Sequence, residues 1–365
     1  MKNKKQKTIL RYAGGKSRAI KQISPFVQNY DEIVSPFLGG GSLEVHGASM
    51  GKKVIAADVF DILINFWETL LNDPKNLANE LSKINPTKAE YKNIKEELMK
   101  TPEVQDMLSD WRTDFYKRDK AVSLSKIKLA AYYYFNHNTS YGPGFLGWAS
   151  DLYMNQSKWN KTIEKVKNFS CPNLSVFNQS FEETIDRHPN SFLYLDPPYY
   201  TKKEKDNKML CGIYPMKNIP VHHDSFDHEL LRDKLLAHDG DFVLSYNNCE
   251  TIRDYYSDFE FYFPKWHYSM DIGETRIGQN RKQRTTEEQL DEVDTLSKAI
   301  QELEKDNERN IKQINALEEV TQETSSLVEK GVAIKQKLSS LKTKRHEIMK
   351  KESHEILIIK RSNLK

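Results

Sequence analysis

The chain has 365 residues, of which 38% are hydrophobic and 29% are charged, with a formal net charge of +3. This length fits one large domain with an elaboration, or two domains, and the mean hydropathy of −0.72 indicates that part of the charge lies on an exposed helical element. No apolar run approaches the roughly 20 residues of a membrane span, and the three cysteines lack the spacing of disulfide pairs or metal ligands. A membrane protein and a secreted precursor are therefore disfavoured, and a cytoplasmic protein is expected.

The basic residues are grouped along the chain. Residues 1–30 carry eight Lys or Arg and no acid, and two further clusters lie within residues 117–128 and 276–284. Such patches on a nearly neutral chain favour a local polyanion site over a wholly basic surface. Solvated surface lysines remain the ordinary alternative for any one cluster.

Short apolar or β-branched runs, bounded by turns or charges, predict the strands of the fold. Helical segments lie between most of them, for example 62–71 and 227–237. This alternation predicts an α/β fold with a mainly parallel sheet. Residues 75–170 break the alternation with a long stretch that is helical and then aromatic-rich, which predicts an inserted second domain. The seven predicted strands cover residues 32–37, 53–57, 174–177, 191–195, 241–246, 260–263 and 355–359.

Residues 285–351 differ sharply in composition from the rest of the chain. They contain no proline and a single glycine, Gly331, and their Leu, Ile and Val residues recur at spacings of three and four. This pattern predicts a coiled coil. A weaker stretch at 321–331 favours an antiparallel hairpin with arms of about 45 Å, although one long helix that pairs between subunits is the alternative. Because the apolar strand 355–359 follows and must pair with the sheet, the arm is predicted to be an insertion.

Asp196-Pro-Pro-Tyr199 directly follows a predicted strand. A carboxylate at a strand end, two stiffening prolines and an aromatic face suit a flat ring that bears an amine. Asp196 can accept one N–H of that amine, the Pro197 carbonyl can accept the other, and Tyr199 can stack on the ring. An ordinary strand that ends in a proline turn is the alternative.

Two glycine-containing motifs lie closer to the N-terminus. Ser35-Pro-Phe-Leu-Gly-Gly-Gly-Ser42 follows a predicted strand, and Asp58 ends the next strand, where an acid can hold ribose hydroxyls. A tight strand-to-helix corner is the alternative. Arg11-Tyr-Ala-Gly-Gly-Lys-Ser17 superficially resembles a P-loop, but position 10 is Leu where that motif requires Gly, which excludes an ATPase site.

Taken in chain order, with Arg11–Ser17 first, Pro36–Gly41 and Asp58 second and Asp196–Tyr199 third, the motifs resemble the Dam-type DNA adenine-N6 methyltransferases, the alpha group with a DPPY motif. Residues 225–228, 244–249 and 266–270 are similar to later motifs of the same family. The resemblance covers roughly residues 8–285 and 353–361. It departs from the family pattern at Ser35, where an acid is usual, and at Ser180-Phe181, where the family has an Asp-Phe pair.

The resemblance implies a cofactor, S-adenosylmethionine, and a role for each matching residue. Asp196, Pro197, Pro198 and Tyr199 would bind a flipped adenine beside the sulfonium methyl group, and Asp196 would also adjoin the cofactor. The other implied cofactor contacts are Tyr12, Lys16, Phe37, Gly39, Gly41, Asp58 and Phe181.

The family also implies a seven-stranded methyltransferase sheet whose last strand is antiparallel and lies inside the sheet. Added to it are a helical target-recognition domain and the inserted antiparallel coiled-coil arm. The implied organisation is a cofactor-binding half at 1–74, a target-recognition domain at 75–170, a catalytic half at 171–284, a coiled-coil insertion at 285–352 and a final strand at 353–365.

Double-stranded DNA is the implied partner, and Asn138, Tyr141, Lys158 and Arg281 are the candidate contacts. Packing inside the helical domain is the alternative for each, and the arm could also mediate self-association or bind a protein. Trp148 and Trp159 are predicted to be core residues. His137, His222 and His223 are predicted to be surface or DNA-facing residues, and no metal site is expected.

Three other functions compete with adenine methylation. Methylation of cytosine at N4 uses the same motif chemistry, RNA is a possible substrate, and a DNA-bound scaffold could act through the arm.

Overall fold

The structure is a computed structural model that describes residues 6–12, 14–109, 121–141, 144–200, 226–264, 287–315, 322–348 and 355–362. The chain divides into two compact units. The first comprises Met1–Trp266 and His354–Lys365, and the second comprises His267–Ser353.

A seven-stranded sheet forms the centre of the first unit, and all seven predicted strands are confirmed. Most of its strands are buried along nearly their whole length, as expected for a sheet that is covered on both faces. The strands are β1 (Glu32–Ser35), β2 (Lys53–Asp58), β3 (Leu174–Asn178), β4 (Leu193–Leu195), β5 (Phe242–Asn247), β6 (Glu260–Tyr262) and β7 (Glu355–Lys360).

The strand order is β3-β2-β1-β4-β5-β7-β6. Strands β1 to β5 pair in parallel with their neighbours, whereas β7 lies between β5 and β6 and is antiparallel to both. The expectation of an antiparallel last strand inside the sheet is therefore confirmed. Because β7 runs in reverse, its first residue, Glu355, lies opposite Asn247 at the end of β5. Glu355 thus lies at the edge where the parallel strands end.

Helices separate the strands in the sequence, as the alternating pattern predicts. Residues from the helices Phe181–Arg187 and His228–Ala237 pack with β4, β5 and β7 in one continuous apolar core. The helices of this part are α1 (Ile20–Val27), α2 (Ser42–Ser49), α3 (Asp61–Asn72), α9 (Phe181–Arg187), α10 (His228–Ala237) and α11 (Glu250–Tyr255).

The segment between α3 and β3 is helical. Its central helix, Lys126–Thr139, is buried continuously from Leu129 to Thr139, because it carries an aromatic run and packs against α3 and against the helices Pro74–Ser82 and Lys88–Met99. Its helices are α4 (Pro74–Ser82), α5 (Lys88–Met99), α6 (Pro102–Ser109), α7 (Lys126–Thr139) and α8 (Gln156–Lys167).

The two tryptophans of this segment lie in different environments. Trp159 is 2% exposed, as predicted, but Trp148 is 65% exposed, so the prediction of a core position is wrong for Trp148. Trp148 lies in a turn closed by the Ser140–Ala149 bridge, and its ring contacts only the ammonium of Lys95 among the described aromatic and cation contacts (5.8 Å).

The second unit contains two long helices, α12 (Glu287–Asn315) and α13 (Gln322–Ile348). Ile300 packs with Ile334 and Leu338, whereas Asn310 donates a hydrogen bond to the carbonyl of Leu327 (2.8 Å). The later part of α12 therefore meets the early part of α13, and the two helices run antiparallel. Gly331 allows this approach, since a Cβ there would lie 2.9 Å from the amide nitrogen of Asn310. None of the helices in the described part of the chain is long and apolar enough to cross a membrane.

Candidate active site

A buried ion pair lies at the carboxyl end of β4. Asp196 directly follows that strand, and the Lys16 Nζ donates to its two carboxylate oxygens at 2.7 and 2.9 Å. The same ammonium donates to the Tyr199 hydroxyl at 3.0 Å. Only 3% of the Lys16 side chain is exposed, so the ammonium depends on these partners to offset its lost hydration. The first and third sequence motifs thus meet at one point.

The environment of Asp196 tunes its carboxyl group. Burial raises the pKa of Asp196 to about 6, with the charge of Glu355 acting in the same direction and the ammonium of Lys16 opposing both. Asp196 is therefore largely ionised at neutral pH. Since 22% of its side chain is exposed, a ligand can reach this acceptor.

A second carboxyl group, from Glu355, faces the same lysine. Glu355 is not among the site residues predicted from the sequence. Its Oε2 atom lies 3.8 Å from Lys16 Nζ and accepts a long hydrogen bond from the Ser245 hydroxyl (3.5 Å). That hydroxyl lies 3.3 Å from the Tyr199 hydroxyl. The signal was available, because the first residue of a strand predicted to be antiparallel must lie where its parallel neighbours end.

A third carboxyl group, from Glu44 on α2, is also buried nearby. The Ser35 hydroxyl donates to its Oε1 atom at 2.7 Å. A carboxyl group therefore lies beside position 35, where the family pattern has an acid in the strand itself. Burial raises the pKa of Glu44 to about 7, and the charge of Asp196 adds to this effect.

Replacing Glu44 with Gln is expected to flatten the dependence of stability on pH. The folded-state pKa of about 7 exceeds the ordinary value of 4.5, so the folded state binds more protons between these values and stability falls as pH rises through this window. Above pH 7, ionisation of the buried Glu44 lowers the free energy of unfolding by about 3 kcal/mol. Glu44→Gln removes this cost and keeps the contact with Ser35. Urea unfolding at pH 5 and pH 8 should show the variant gaining stability relative to wild type at the higher pH.

The exposed Glu96→Gln on α5 is the matched control and should follow wild type at both pH values. If the difference in free energy of unfolding between Glu44→Gln and wild type is the same at pH 5 and pH 8, the raised pKa of Glu44 is contradicted.

The glycine motif forms a left-handed turn between β1 and α2. Gly39 and Gly41 have φ values of +44° and +61°. The carboxylate of Asp58 accepts from the backbone N–H groups of Gly39 and Phe60, both at 3.0 Å. Tyr12 covers the turn so closely that a Cβ on Gly40 would lie 2.5 Å from the Tyr12 Cβ. The structure therefore brings Tyr12, the glycines and Asp58 together.

Aromatic rings adjoin this turn. The rings of Phe37 and Phe181 lie 5.7 Å apart, and Phe226 contacts both, at 5.7 and 5.2 Å. Phe37 and Phe181 are predicted cofactor contacts, whereas Phe226 enters the sequence prediction only as part of the motif at 225–228.

These features fit S-adenosylmethionine. The carboxyl groups of Asp196 and Glu355 both face the Lys16 ammonium, and the charge of Asp196 also acts on the buried Glu44, so acids outnumber the ammonium in this cluster and suit a cationic sulfonium ligand. The aromatic rings offer faces to a purine, and the glycine turn lets a ligand approach the backbone.

The candidate DNA contacts are dispersed. Asn138 is buried, and its Oδ1 atom accepts from the Arg11 backbone N–H at 2.8 Å, which gives it an internal role. Tyr141 is 59% exposed and Lys158 is also exposed. Arg281 lies outside the described residues.

His137 is buried, so the prediction of a surface or DNA-facing position is wrong. It lies on α7, which is covered on all sides, and its ring stacks on Tyr12 with centroids 5.5 Å apart. Burial, together with the charge of Arg11, lowers the pKa of His137 to about 3. His222 and His223 lie outside the described residues, and within those residues no group of three His, Cys, Asp or Glu could hold a metal ion.

The sheet with its reversed inner strand, and an acid-proline motif at its carboxyl edge, are consistent with the methyltransferase class. Residues 12–270 match the family model for D12 class N6 adenine-specific DNA methyltransferases. The chain belongs to this family, as the sequence motifs predicted.

The chain is also similar to a curated protein named DNA adenine methylase from two strains of Vibrio cholerae serotype O1, ATCC 39541 and ATCC 39315. In both cases the identity is 32% over 77 residues, which cover 21% of this chain and 27% of the relative. The matched segment therefore spans about a quarter of the length of these curated relatives.

Proposed function

We propose that the protein transfers a methyl group from S-adenosylmethionine to the N6 amine of an adenine in duplex DNA. The observation that carries this proposal is the position of Asp196 and Tyr199 at the carboxyl end of β4, beside Lys16. Family membership supports both the reaction and the base.

Asp196 and its neighbours would bind and orient the target amine. The ionised carboxylate accepts one N–H and the Pro197 carbonyl accepts the other, which draws the nitrogen lone pair out of ring conjugation and aims it at the methyl group. Tyr199 offers its ring to the base, after the adenine has left the duplex at a cost of a few kcal/mol. When bound, S-adenosylmethionine supplies the electrophilic methyl group. Positioning and the Asp196 charge then provide the catalysis.

The proposed cofactor site combines the glycine turn with its neighbours. Asp58 would hold the ribose, and Gly39 and Gly41 would let the methionine part approach the backbone. Phe37 and Phe181 lie side by side where an adenine ring could stack. Tyr12, which packs on the turn, and Lys16, which adjoins Asp196, complete the proposed set.

We further propose the domain organisation that the sequence predicts: methyltransferase halves at 1–74 and 171–284, a target-recognition domain at 75–170, a coiled-coil arm at 285–352 and a final strand at 353–365. The antiparallel pairing of α12 and α13 supports the arm. Tyr141 and Lys158 are the exposed candidates for DNA contact, and Arg281 is a candidate from sequence alone. The arm is a candidate surface for self-association or for a protein partner.

The test is incubation with tritiated S-adenosylmethionine and mixed-sequence duplex DNA, followed by separation of the nucleosides. Label in N6-methyladenine is the expected result. Label in N4-methylcytosine would show that the target base is cytosine and would leave the proposed site unchanged. Cofactor binding without label would contradict the duplex DNA substrate, and the same assay on RNA would follow. An absence of cofactor binding would favour a DNA-bound scaffold.

A further inference from the structure

Lys16 faces two carboxylates that come from different parts of the sheet. The Lys16 Nζ atom lies 2.7 Å from Asp196 Oδ1 and 3.8 Å from Glu355 Oε2. Both Lys16 and Glu355 are almost fully buried, with 3% and 5% of their side chains exposed. Burying the charged groups of Lys16 and Glu355 costs folding free energy, because each loses its hydration. The stability of the fold therefore gives no reason to keep Glu355 at this position.

The reversed direction of β7 is what places Glu355 here. Its partner in the register is Asn247, the last residue of β5, and Asp196 follows the end of the neighbouring β4. A parallel strand would present its first residue at the opposite edge, as β1 does with Glu32.

The proposed reaction sets a conflict for Asp196. Both of its oxygens already accept from Lys16, and an ammonium in contact weakens a carboxylate as an acceptor for a second, neutral donor. The amine of the adenine needs that same carboxylate. Lys16 is buried and cannot withdraw to water, and the Gly14 carbonyl and Tyr199 hydroxyl that also accept from it are neutral, so a second anion is needed to balance its charge. Glu355 is about 1 Å short of contact distance.

We propose that Glu355 is a positioning residue that holds the Lys16 ammonium while Asp196 accepts the adenine amine. This inference rests on the proposed function. In this role Glu355 belongs to the site but its carboxylate does not touch the substrate. It acts on Asp196 through Lys16.

Among the described residues, Lys16 and Glu355 from β7 act on the charge of Asp196, Glu44 from α2 is coupled to it, and Tyr199 from its own loop accepts a hydrogen bond from Lys16. The Glu355 charge raises the pKa of Asp196, whereas Lys16 lowers it. Removing the charge at position 355 should therefore lower the pKa of Asp196 twice over, by losing a like charge and by tightening the contact with Lys16.

The experiment is the Glu355→Gln substitution, which keeps the size of the side chain and an acceptor for Ser245. Single-turnover methylation at saturating S-adenosylmethionine and DNA is measured from pH 5 to pH 9. The plateau rate is expected to fall about tenfold. The midpoint of the acid limb, which reports Asp196 in the loaded enzyme, is expected at lower pH than in wild type. A lost structural contact would lower the rate without moving this midpoint.

Two variants serve as controls. Glu355→Asp retains the charge, so its midpoint should stay with that of wild type even where its rate falls. Glu32→Gln alters an acid at the start of β1, where the carboxylate pairs with Lys53, and it should leave both rate and midpoint unchanged. A Glu355→Gln protein whose midpoint coincides with wild type overturns the inference, whatever its rate.

A readout that does not depend on catalysis separates this inference from the proposed function. The titration of the Asp196 carboxyl carbon is followed by 13C NMR in the wild-type protein and in Glu355→Gln, and assigned with Asp196→Asn. If wild type labels no adenine but the midpoint is lower in Glu355→Gln, the action of Glu355 on Asp196 stands and it is the proposed function that fails. If wild type methylates adenine and the two titrations coincide, the inference fails while the proposed function stands.

Discussion

Replacing Asp196 with Ala is expected to abolish adenine methylation while DNA binding persists. The variant removes the only described side-chain carboxylate that lies within reach of both Lys16 and an entering ligand at the end of β4. The loss should be on the order of 10³-fold in the single-turnover rate, as for other groups that act directly on the reacting atoms. Labelled methyl transfer and a DNA gel-shift, measured on the same preparation, give the two readouts.

Folding must be separated from chemistry in this experiment, because the substitution strips Lys16 of its main partner. Asp196→Asn keeps the shape of the side chain and should lose activity to a similar extent. Asp186→Ala removes an exposed aspartate that pairs with Lys234 on α10, and it should retain wild-type activity. Full methylation by Asp196→Ala would refute the proposed role of the carboxylate.

The strands of the sheet could be predicted from the sequence because they are short and most of them are buried. Each appears as an apolar run between turns, and the isolated run at 355–359 needed a partner in the sheet, which β5 and β6 provide. Direction and order were harder to predict, because local patterns carry no information on neighbours. The position of β7 between β5 and β6 came from the family resemblance.

The candidate site was only partly predictable, for a physical reason. Asp196 and the glycine turn carry local signals, namely strand ends, prolines and glycines. Glu44 and Glu355 carry no local signal: Glu44 becomes a site residue through packing with Ser35, and Glu355 could be found only from the predicted direction of its strand. The predictions for His137 and Trp148 were wrong because a mixed aromatic and polar segment does not show that all faces of the helix with His137 are covered, or that Trp148 lies in an exposed turn.

The glycine turn depends on an interior contact that alanine cannot accommodate. Gly41 has a φ of +61°, and a Cβ there would lie 2.6 Å from Cζ2 and 2.8 Å from Cη2 of Trp67. Trp67 is fully buried, and its Nε1 atom donates to the Gly39 carbonyl at 3.1 Å. The ring cannot retreat without disturbing the turn that Asp58 also holds.

Gly41→Ala is therefore expected to destabilise the protein by about 3 kcal/mol, through left-handed strain and overpacking together. It should also weaken binding of S-adenosylmethionine, because the turn and Asp58 move as one unit. Gly51→Ala is the matched control: its φ is +91°, but nothing lies within 4 Å of the added Cβ, so only the conformational cost of about 1 kcal/mol applies. Urea midpoints and calorimetric binding of the cofactor measure both effects. Equal midpoints for the two variants would show that Trp67 yields, and the turn would then owe its shape to backbone conformation alone.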